Sequence, residues 1–411
     1  MIGRRITWSL SGNLAYGVCQ WLVLIALARL ASPEVLGIFA LSLAICAPVF
    51  LFTNMGLRTV LATDAGHDRL IREYLACRLL GSVVAAVLIA IGALTFFGKG
   101  LLTGAILLVA VAKAIESVSD LAYGAFQRAG RMDRVARSLT IKGITSLIAF
   151  VIGFTLGELI GALVGLAAAW LIVLLVYDAP AFSALELDSR LAAPRPRSDL
   201  VRVALPLGVT GALGSFIIAA PRYFVEWRLG SAELGVFVAL SYFMILASRV
   251  SASVGEATSP ALADAYQRGD AQACRRLIGR LTIGIAAAGG VLIAGFALFG
   301  RFLLQALYGA QYAAHLDVCL ILMVAALAGA LELMMRYAVS ASHRYGLNTP
   351  ILAIGLGTLL IALPVLTSAY GIVGVALAVL AGESARFLVA TSVTWRIYRA
   401  KPSTELAVRY G

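Results

Sequence analysis

The chain has 411 residues, of which 61% are hydrophobic and 13% charged, and its mean hydropathy is +0.94. Such an apolar share lies well above that of an ordinary globular domain and excludes water as the main solvent. The net charge of +12 would point to nucleic acid in a soluble protein, so the placement of the basic residues decides what it means.

A helix needs roughly 20 apolar residues to cross a hydrocarbon core of about 30 Å. Stretches of that kind follow one another at 10–30, 36–62, 75–97, 101–126, 139–156, 159–178, 201–228, 234–258, 280–299, 316–341, 350–369 and 372–396. Runs such as Leu79–Phe97 and Gly284–Phe299 are apolar on every face, unlike the alternating segments of a membrane barrel. The expected fold class is therefore an all-α polytopic membrane protein of about 12 transmembrane helices in two parallel six-helix lobes. The lobes are expected at 1–178 and 201–398, joined by a cytoplasmic linker at 179–200 that carries Pro180, Pro194 and Pro196, with a cytoplasmic tail at 399–411.

The loops between these spans alternate in charge. With the N-terminus inside, 23 of the 33 Lys and Arg residues fall on the cytoplasmic side, among them Arg69, Arg72, Arg78, Arg128, Arg131, Arg134, Arg137 and Lys142. The outer edges hold only Arg29, Lys99, Arg228 and Arg301. That asymmetry predicts an inner-membrane protein with both termini in the cytoplasm, and it assigns the basic balance to topology and anionic lipid rather than nucleic acid. The five cysteines show neither metal spacing nor a pairing pattern, and no phosphate loop is present, so no metal or other cofactor is expected.

The two halves repeat. Arg29-Leu30-Ala31-Ser32-Pro33-Glu34 with Gly37-Ile38-Phe39 returns as Arg228-Leu229-Gly230-Ser231-Ala232-Glu233 with Gly235-Val236-Phe237. Phe97-Gly98-Lys99 returns as Phe299-Gly300-Arg301, Gln127-Arg128-Ala129-Gly130 as His343-Arg344-Tyr345-Gly346, and Gly157-Glu158-Leu159-Ile160-Gly161 more loosely as Gly371-Ile372-Val373-Gly374. Even numbers of spans in each half make the repeats parallel, and a binding site is expected between them near the midplane.

Ionisable groups inside spans cost several kcal/mol unless they are paired or face a wet cavity, roughly 2.5 or more each, so they are the candidate functional residues. Lys113, Glu116 and Asp120 share one face of the fourth span, and Glu332 and Arg336 one face of the tenth. These are candidates for ion coupling or for a cavity wall, with local ion pairing as the plainer alternative. Arg58, Arg222 and Arg249 lie on the second, seventh and eighth spans; a guanidinium fork suits phosphate oxygens, so an anionic head group is one partner and structural pairing the other. Pro206 and Pro221 would let the seventh span bend as a gate.

Ser11-Gly12-Asn13 followed by Ala28-Arg29-Leu30-Ala31-Ser32-Pro33-Glu34-Val35-Leu36-Gly37-Ile38-Phe39, together with Gln127-Arg128-Ala129-Gly130-Arg131, resembles the polysaccharide-transporter branch of the multidrug/oligosaccharidyl-lipid/polysaccharide exporter superfamily. The resemblance implies a flippase that moves polyprenyl-pyrophosphate-linked oligosaccharide across the inner membrane by alternating access. Its implied partners are that substrate, membrane lipids and the glycan polymerase and export machinery. A cation-coupled exporter of drugs or organic cations is the alternative if Glu116, Asp120 and Glu332 dominate the cavity. A membrane-embedded glycan transferase is weaker, because the outer loops are short apart from Arg301–Asp317, and enzymatic activity is not expected.

Overall fold

The computed structural model describes residues 2–63, 71–186, 197–342 and 344–399; residues 187–196 of the expected linker, residues 400–411 of the tail and His343 lie outside them. Among the described residues all regular structure is helical. The order is α1 (Ile2–Leu30), α2 (Pro33–Asn54), α3 (Leu57–Thr63), α4 (Ile71–Phe96), α5 (Leu101–Arg128) and α6 (Met132–Val173). A π-helical turn at Leu174–Asp178 leads into α7 (Ala179–Glu186) and α8 (Arg197–Leu229). Then come α9 (Ser231–Gln267), α10 (Ala271–Leu307), the single turn α11 (Ala310–Ala313), α12 (Leu316–Ala341) and α13 (Asn348–Arg399).

Among the described residues, ten helical stretches are long and apolar enough to cross a membrane. Two of them, Met132–Ala184 and Asn348–Tyr398, run 53 and 51 residues, about twice the length one crossing needs. Each breaks in the middle, at Gly157 and Glu158 in α6 and at Gly371 in α13, so twelve crossings result. The surface agrees with a lipid solvent: Leu80, Val83, Leu88 and Ile91 of α4 are each more than half exposed. Apolar side chains in that density face water only where a partner or a bilayer covers them.

Local chemistry explains the breaks. Pro33 occupies the start of α2 behind an extended Ser32, where its missing N–H costs nothing. The second span, expected to run unbroken from 36 to 62, instead stops at Asn54, because Met55 (φ 48°) and Gly56 (φ 56°) both take left-handed backbone. The chain restarts as α3, which packs so closely on α5 that a Cβ at Gly124 would lie 2.8 Å from the Arg58 carbonyl. Between α9 and α10 the expected loop shrinks to Arg268-Gly269-Asp270, with Asp270 Oδ1 accepting the Ala273 N–H at 2.8 Å as a helix cap.

The chain forms two compact units, Met1–Gly235 and Val236–Gly411. In the first, α1 lies along α6, α5 packs against α2, α4 and α6, and α8 lies along α2. Its main buried cluster joins Leu57 and Leu61, Tyr74, Leu121 and Phe126, Val135, Phe182 and Leu200. In the second, α12 packs on α13 and α10, and Tyr398 donates to the Ala338 carbonyl at 2.9 Å within a cluster that includes Leu262, Cys274 and Ile397.

The internal repeat holds at atomic scale. Glu158 (φ 50°, ψ −140°) and Gly371 (φ 56°, ψ −133°) have the same backbone conformation at the two hairpin turns. Three residues on, a Cβ at Gly161 would meet the Gly153 carbonyl at 2.2 Å and one at Gly374 the Leu366 carbonyl at 1.9 Å, the same contact made twice. The repeat therefore aligns Glu158, not Gly157, with Gly371.

Glu158 thus occupies a glycine conformation. Strain there costs about 1–3 kcal/mol, against about 0.5–1 kcal/mol of extra chain entropy for a glycine. Glu158→Gly is expected to raise stability by about 1 kcal/mol, read as a higher midpoint in thermal unfolding of the purified protein; an unchanged or lower midpoint would show that the exposed Glu158 side chain stabilises the turn by other means.

Candidate functional site

The heptad geometry of α5 puts Lys113, Glu116, Ser117, Asp120 and Tyr123 on one face, and neighbouring helices supply their partners. Lys113 Nζ binds Glu116 Oε2 at 2.7 Å and lies over the Trp170 ring at 5.7 Å. Tyr16 Oη of α1 donates to Glu116 Oε1 at 3.2 Å. Asp120 takes two guanidinium groups, Arg58 Nη1 at 3.1 Å from α3 and Arg78 Nη2 at 3.3 Å from α4. Ser82 and Ser117 hydroxyls meet at 2.6 Å beside them.

A second chain of contacts runs from the same face into α6. Arg58 stands over the Tyr123 ring at 5.6 Å, and Lys142 over it at 5.3 Å. Ser138 donates to Asp178 Oδ1 at 2.6 Å, so its single proton is spent there and Tyr123 Oη, 2.8 Å away, is the donor to Ser138. Lys142 Nζ stands 3.8 Å from Asp178 Oδ2, with the two side chains 1% and 0% exposed. The four cations and three carboxylates of this network leave one positive charge in excess when all are ionised.

Arg78, Lys142 and Asp178 are the members that sequence patterning missed. Arg78 and Lys142 count among the cytoplasmic loop charges when spans are taken to begin at 75 and 139; in the structure α4 and α6 begin at Ile71 and Met132, which carries both residues two or more turns inside. The signal that could have found them is spacing: Arg78 lies seven residues into its helix, too deep for a loop.

In the second unit Glu332 Oε1 binds Arg336 Nε at 2.6 Å, and Glu332 is 1% exposed. Glu383 and Arg386 of α13 form a close pair beside them, with Glu383 within electrostatic reach of both Glu332 and Arg336. The approach is tight enough that a Cβ at Gly329 of α12 would sit 2.7 Å from Glu383 Oε2. This four-membered cluster is balanced in charge, unlike its counterpart in the first unit.

Arg222 is different again. It is half-buried in α8, and among the described residues it makes no hydrogen bond or ion pair; Tyr223 is the one polar group within electrostatic reach. Tyr223 itself donates to the Ala44 carbonyl, locking α8 onto α2. Glu226, one turn on, is taken by Ser231 Oγ at 2.7 Å and does not neutralise Arg222. Arg249 is exposed on α9 in the second unit, near Tyr242. Pro206 and Pro221 both lie inside the continuous helix α8.

The N-terminal ends of α2 and α9 meet in a reciprocal contact between repeat-related residues. A Cβ at Gly37 would lie 1.8 Å from the Ser231 carbonyl, and one at Gly235 would lie 1.9 Å from the Pro33 carbonyl. Each glycine rests on the residue one turn before the other, a local two-fold pairing that no larger side chain permits.

Comparison with known proteins places this arrangement. The structure of lipid II flippase MurJ in an inward closed conformation superposes with a TM-score of 0.71 at 12% identity, over 98% of this chain and 91% of that one. An inward-facing multidrug resistance MATE family transporter of the MOP superfamily gives 0.69 at 16% identity over 96% of each chain. The fold is thus that of the MOP-superfamily membrane transporters. The family model for polysaccharide biosynthesis proteins matches residues 2–266, and the chain belongs to that family. Capsular polysaccharide biosynthesis protein CapF of Staphylococcus aureus is 25% identical over 388 residues, which is 92% of this chain and 95% of CapF.

The buried Lys142–Asp178 pair gives a direct test of how the first unit is held. Removing one partner of a buried pair leaves an uncompensated charge and costs about 3–5 kcal/mol, whereas replacing both with apolar groups is close to neutral. Asp178→Leu alone is expected to lower thermal stability sharply, and Lys142→Met with Asp178→Leu to recover most of the loss; equal losses in the single and double variants would show that the charges are not coupled.

Proposed function

We propose that this chain is a flippase that carries polyprenyl-pyrophosphate-linked oligosaccharide across the bacterial inner membrane for surface or exo-polysaccharide assembly, with no catalytic step of its own. The observation that carries the reading is Arg222. A guanidinium without a partner inside a membrane helix is costly unless something anionic visits it, and a pyrophosphate offers the planar oxygens that an arginine fork binds best. Arg249, exposed on α9, is the second candidate for the same head group. Arg58 is engaged by Asp120 and serves this reading as a structural cation whose neighbours leave a net positive field. Family membership and the CapF likeness support the same class of cargo.

In this mechanism the two six-helix lobes, 1–178 and 201–398 with the linker 179–200 between them, rock about a substrate that enters laterally from the cytoplasmic leaflet. Both termini remain in the cytoplasm. The Gly37–Gly235 pairing closes the outer ends of α2 and α9 and must part for release, while Pro206 and Pro221 give α8 the freedom to bend. Glu116 with Lys113, or Glu332 with Arg336, would couple a cation or proton gradient to that movement. Glycan polymerase and export components would take over the product.

The organic-cation exporter is the poorer reading. Its cavity wants free carboxylates, but Glu116, Asp120 and Glu332 are each paired with a cation.

Cells lacking the protein are expected to accumulate lipid-linked oligosaccharide on the cytoplasmic leaflet, assigned by accessibility in sealed vesicles. Wild type relieves the accumulation and Arg222→Gln does so roughly tenfold to a hundredfold less well, since hydrogen bonds to charged groups are worth about 1.5–3 kcal/mol. No accumulation, with surface glycan intact, would overturn the assignment.

A further inference from the structure

The break between α2 and α3 and the first proline of α8 lie side by side. A Cβ at Gly56 would come within 2.9 Å of Leu207 Cβ, and one at Gly208 within 2.5 Å of the Phe52 carbonyl, so the residues that follow Pro206 rest directly on the break. Both helices are short of backbone hydrogen bonds at this level. Met55 and Gly56 are left-handed, and the α2 ladder ends with the Met55 N–H on the Phe52 carbonyl. In α8 the ring of Pro206 offers the Arg202 carbonyl no donor. Asn54 Oδ1 is buried here without a hydrogen-bond partner, and Met55 holds a backbone conformation that a side chain rarely takes. This stretch is kept in place by its surroundings rather than by its own bonding.

The two sides of the break are held differently. Toward α3, Leu57 and Leu61 pack with Leu200 and Ala204 of α8 in the cluster that also holds Tyr74 and Phe126, so the two short ends share one anchor. In the other direction α2 and α8 run antiparallel and stay together. A Cβ at Gly211 would lie 3.7 Å from Leu51, Tyr223 Oη donates to the Ala44 carbonyl, and Gly37 rests on Ser231 just past the end of α8. The long arms of α2 and α8 thus form a pair that joins the anchored ends through Met55-Gly56 and Pro206. The α2 arm also packs on α4 and α5, which restricts it to a small tilt rather than a wide swing.

We propose that Met55-Gly56 and Pro206 form one hinge, about which the arms of α2 and α8 tilt together against the anchored end of the first unit. Arg222 lies 16 residues beyond Pro206, about 24 Å along the helix, so a tilt of about 10° moves it about 4 Å. That is enough to make or break its contact with an anion. The hinge excludes Pro221, which is buried in a turn that Tyr223 ties to α2. The inference rests on the flippase reading for what the tilt is used for, but the hinge itself is tested without cargo.

Hydrogen–deuterium exchange of the purified full-length protein reads both sides of the hinge, because local opening governs exchange. Pro206→Ala, which restores the missing donor, is expected to slow exchange roughly threefold or more at 203–210 and, across the contact, at 52–60. Met55→Gly, which removes the left-handed penalty, is expected to change exchange at 203–210 in return. Pro221→Ala is expected to leave both segments as in wild type. Effects confined to the substituted helix would overturn the proposal and leave two separate irregularities. An equal effect of Pro221→Ala would overturn it too, since the stiffening would then be general. Coupled exchange in a protein that flips no lipid would support the hinge and overturn the flippase reading alone.

Discussion

A charge inside a hydrocarbon layer must find its opposite or face water, and the shape of the first unit follows from that constraint. Lys113, Glu116 and Asp120 occupy one face of α5, and no isolated helix could carry them across a bilayer. Arg58, Arg78 and Tyr16 reach that face from α3, α4 and α1. The break at Met55 and Gly56 that separates α3 from α2 puts Arg58 on Asp120, so even an irregular stretch of backbone serves the pairing. Lys142, Asp178, Ser138 and Tyr123 extend the network until α6 and the π-helical turn are tied to the same helix. Charges that would expel a single helix from the membrane thus hold six segments together.

The second organising feature is the repeat, expressed through backbone contacts rather than side-chain identity. Glu158 and Gly371 share a turn, Gly161 and Gly374 share a carbonyl contact, and Gly37 and Gly235 pair reciprocally. What the halves do not share is charge. The α5 network carries an excess cation, while Glu332, Arg336, Glu383 and Arg386 balance. Duplication preserved the frame, and the polar contents diverged around it.

Most of the fold was legible in the sequence, because the solvent argument is strong: apolar stretches of the right length leave few alternatives. The boundaries at 156/159 and 369/372 fall on the two hairpin turns, since glycine marks the reversal. The site was legible only in part. Lys113, Glu116, Asp120, Glu332 and Arg336 stand out as charges in apolar runs, and the structure pairs each of them. Arg78 and Lys142 were hidden, because hydropathy alone cannot tell a charge at a helix end from one buried two turns in. Arg222 and Glu226 stand four residues apart, the spacing of a helical ion pair, but Ser231 at the start of α9 claims the carboxylate, a tertiary choice that spacing does not encode.

The account comes together at Arg222, which among the described residues makes no hydrogen bond or ion pair, whereas Arg58, Arg78, Lys113, Lys142 and Arg336 each face a carboxylate. The most direct measurement is the leaflet exchange of a fluorescent polyprenyl-pyrophosphate oligosaccharide by the purified protein in sealed vesicles. Exchange well above that of protein-free vesicles, slowed at least tenfold by Arg222→Gln, is the predicted result. Exchange no faster than without protein, together with uptake of an organic cation in the same vesicles, would contradict it.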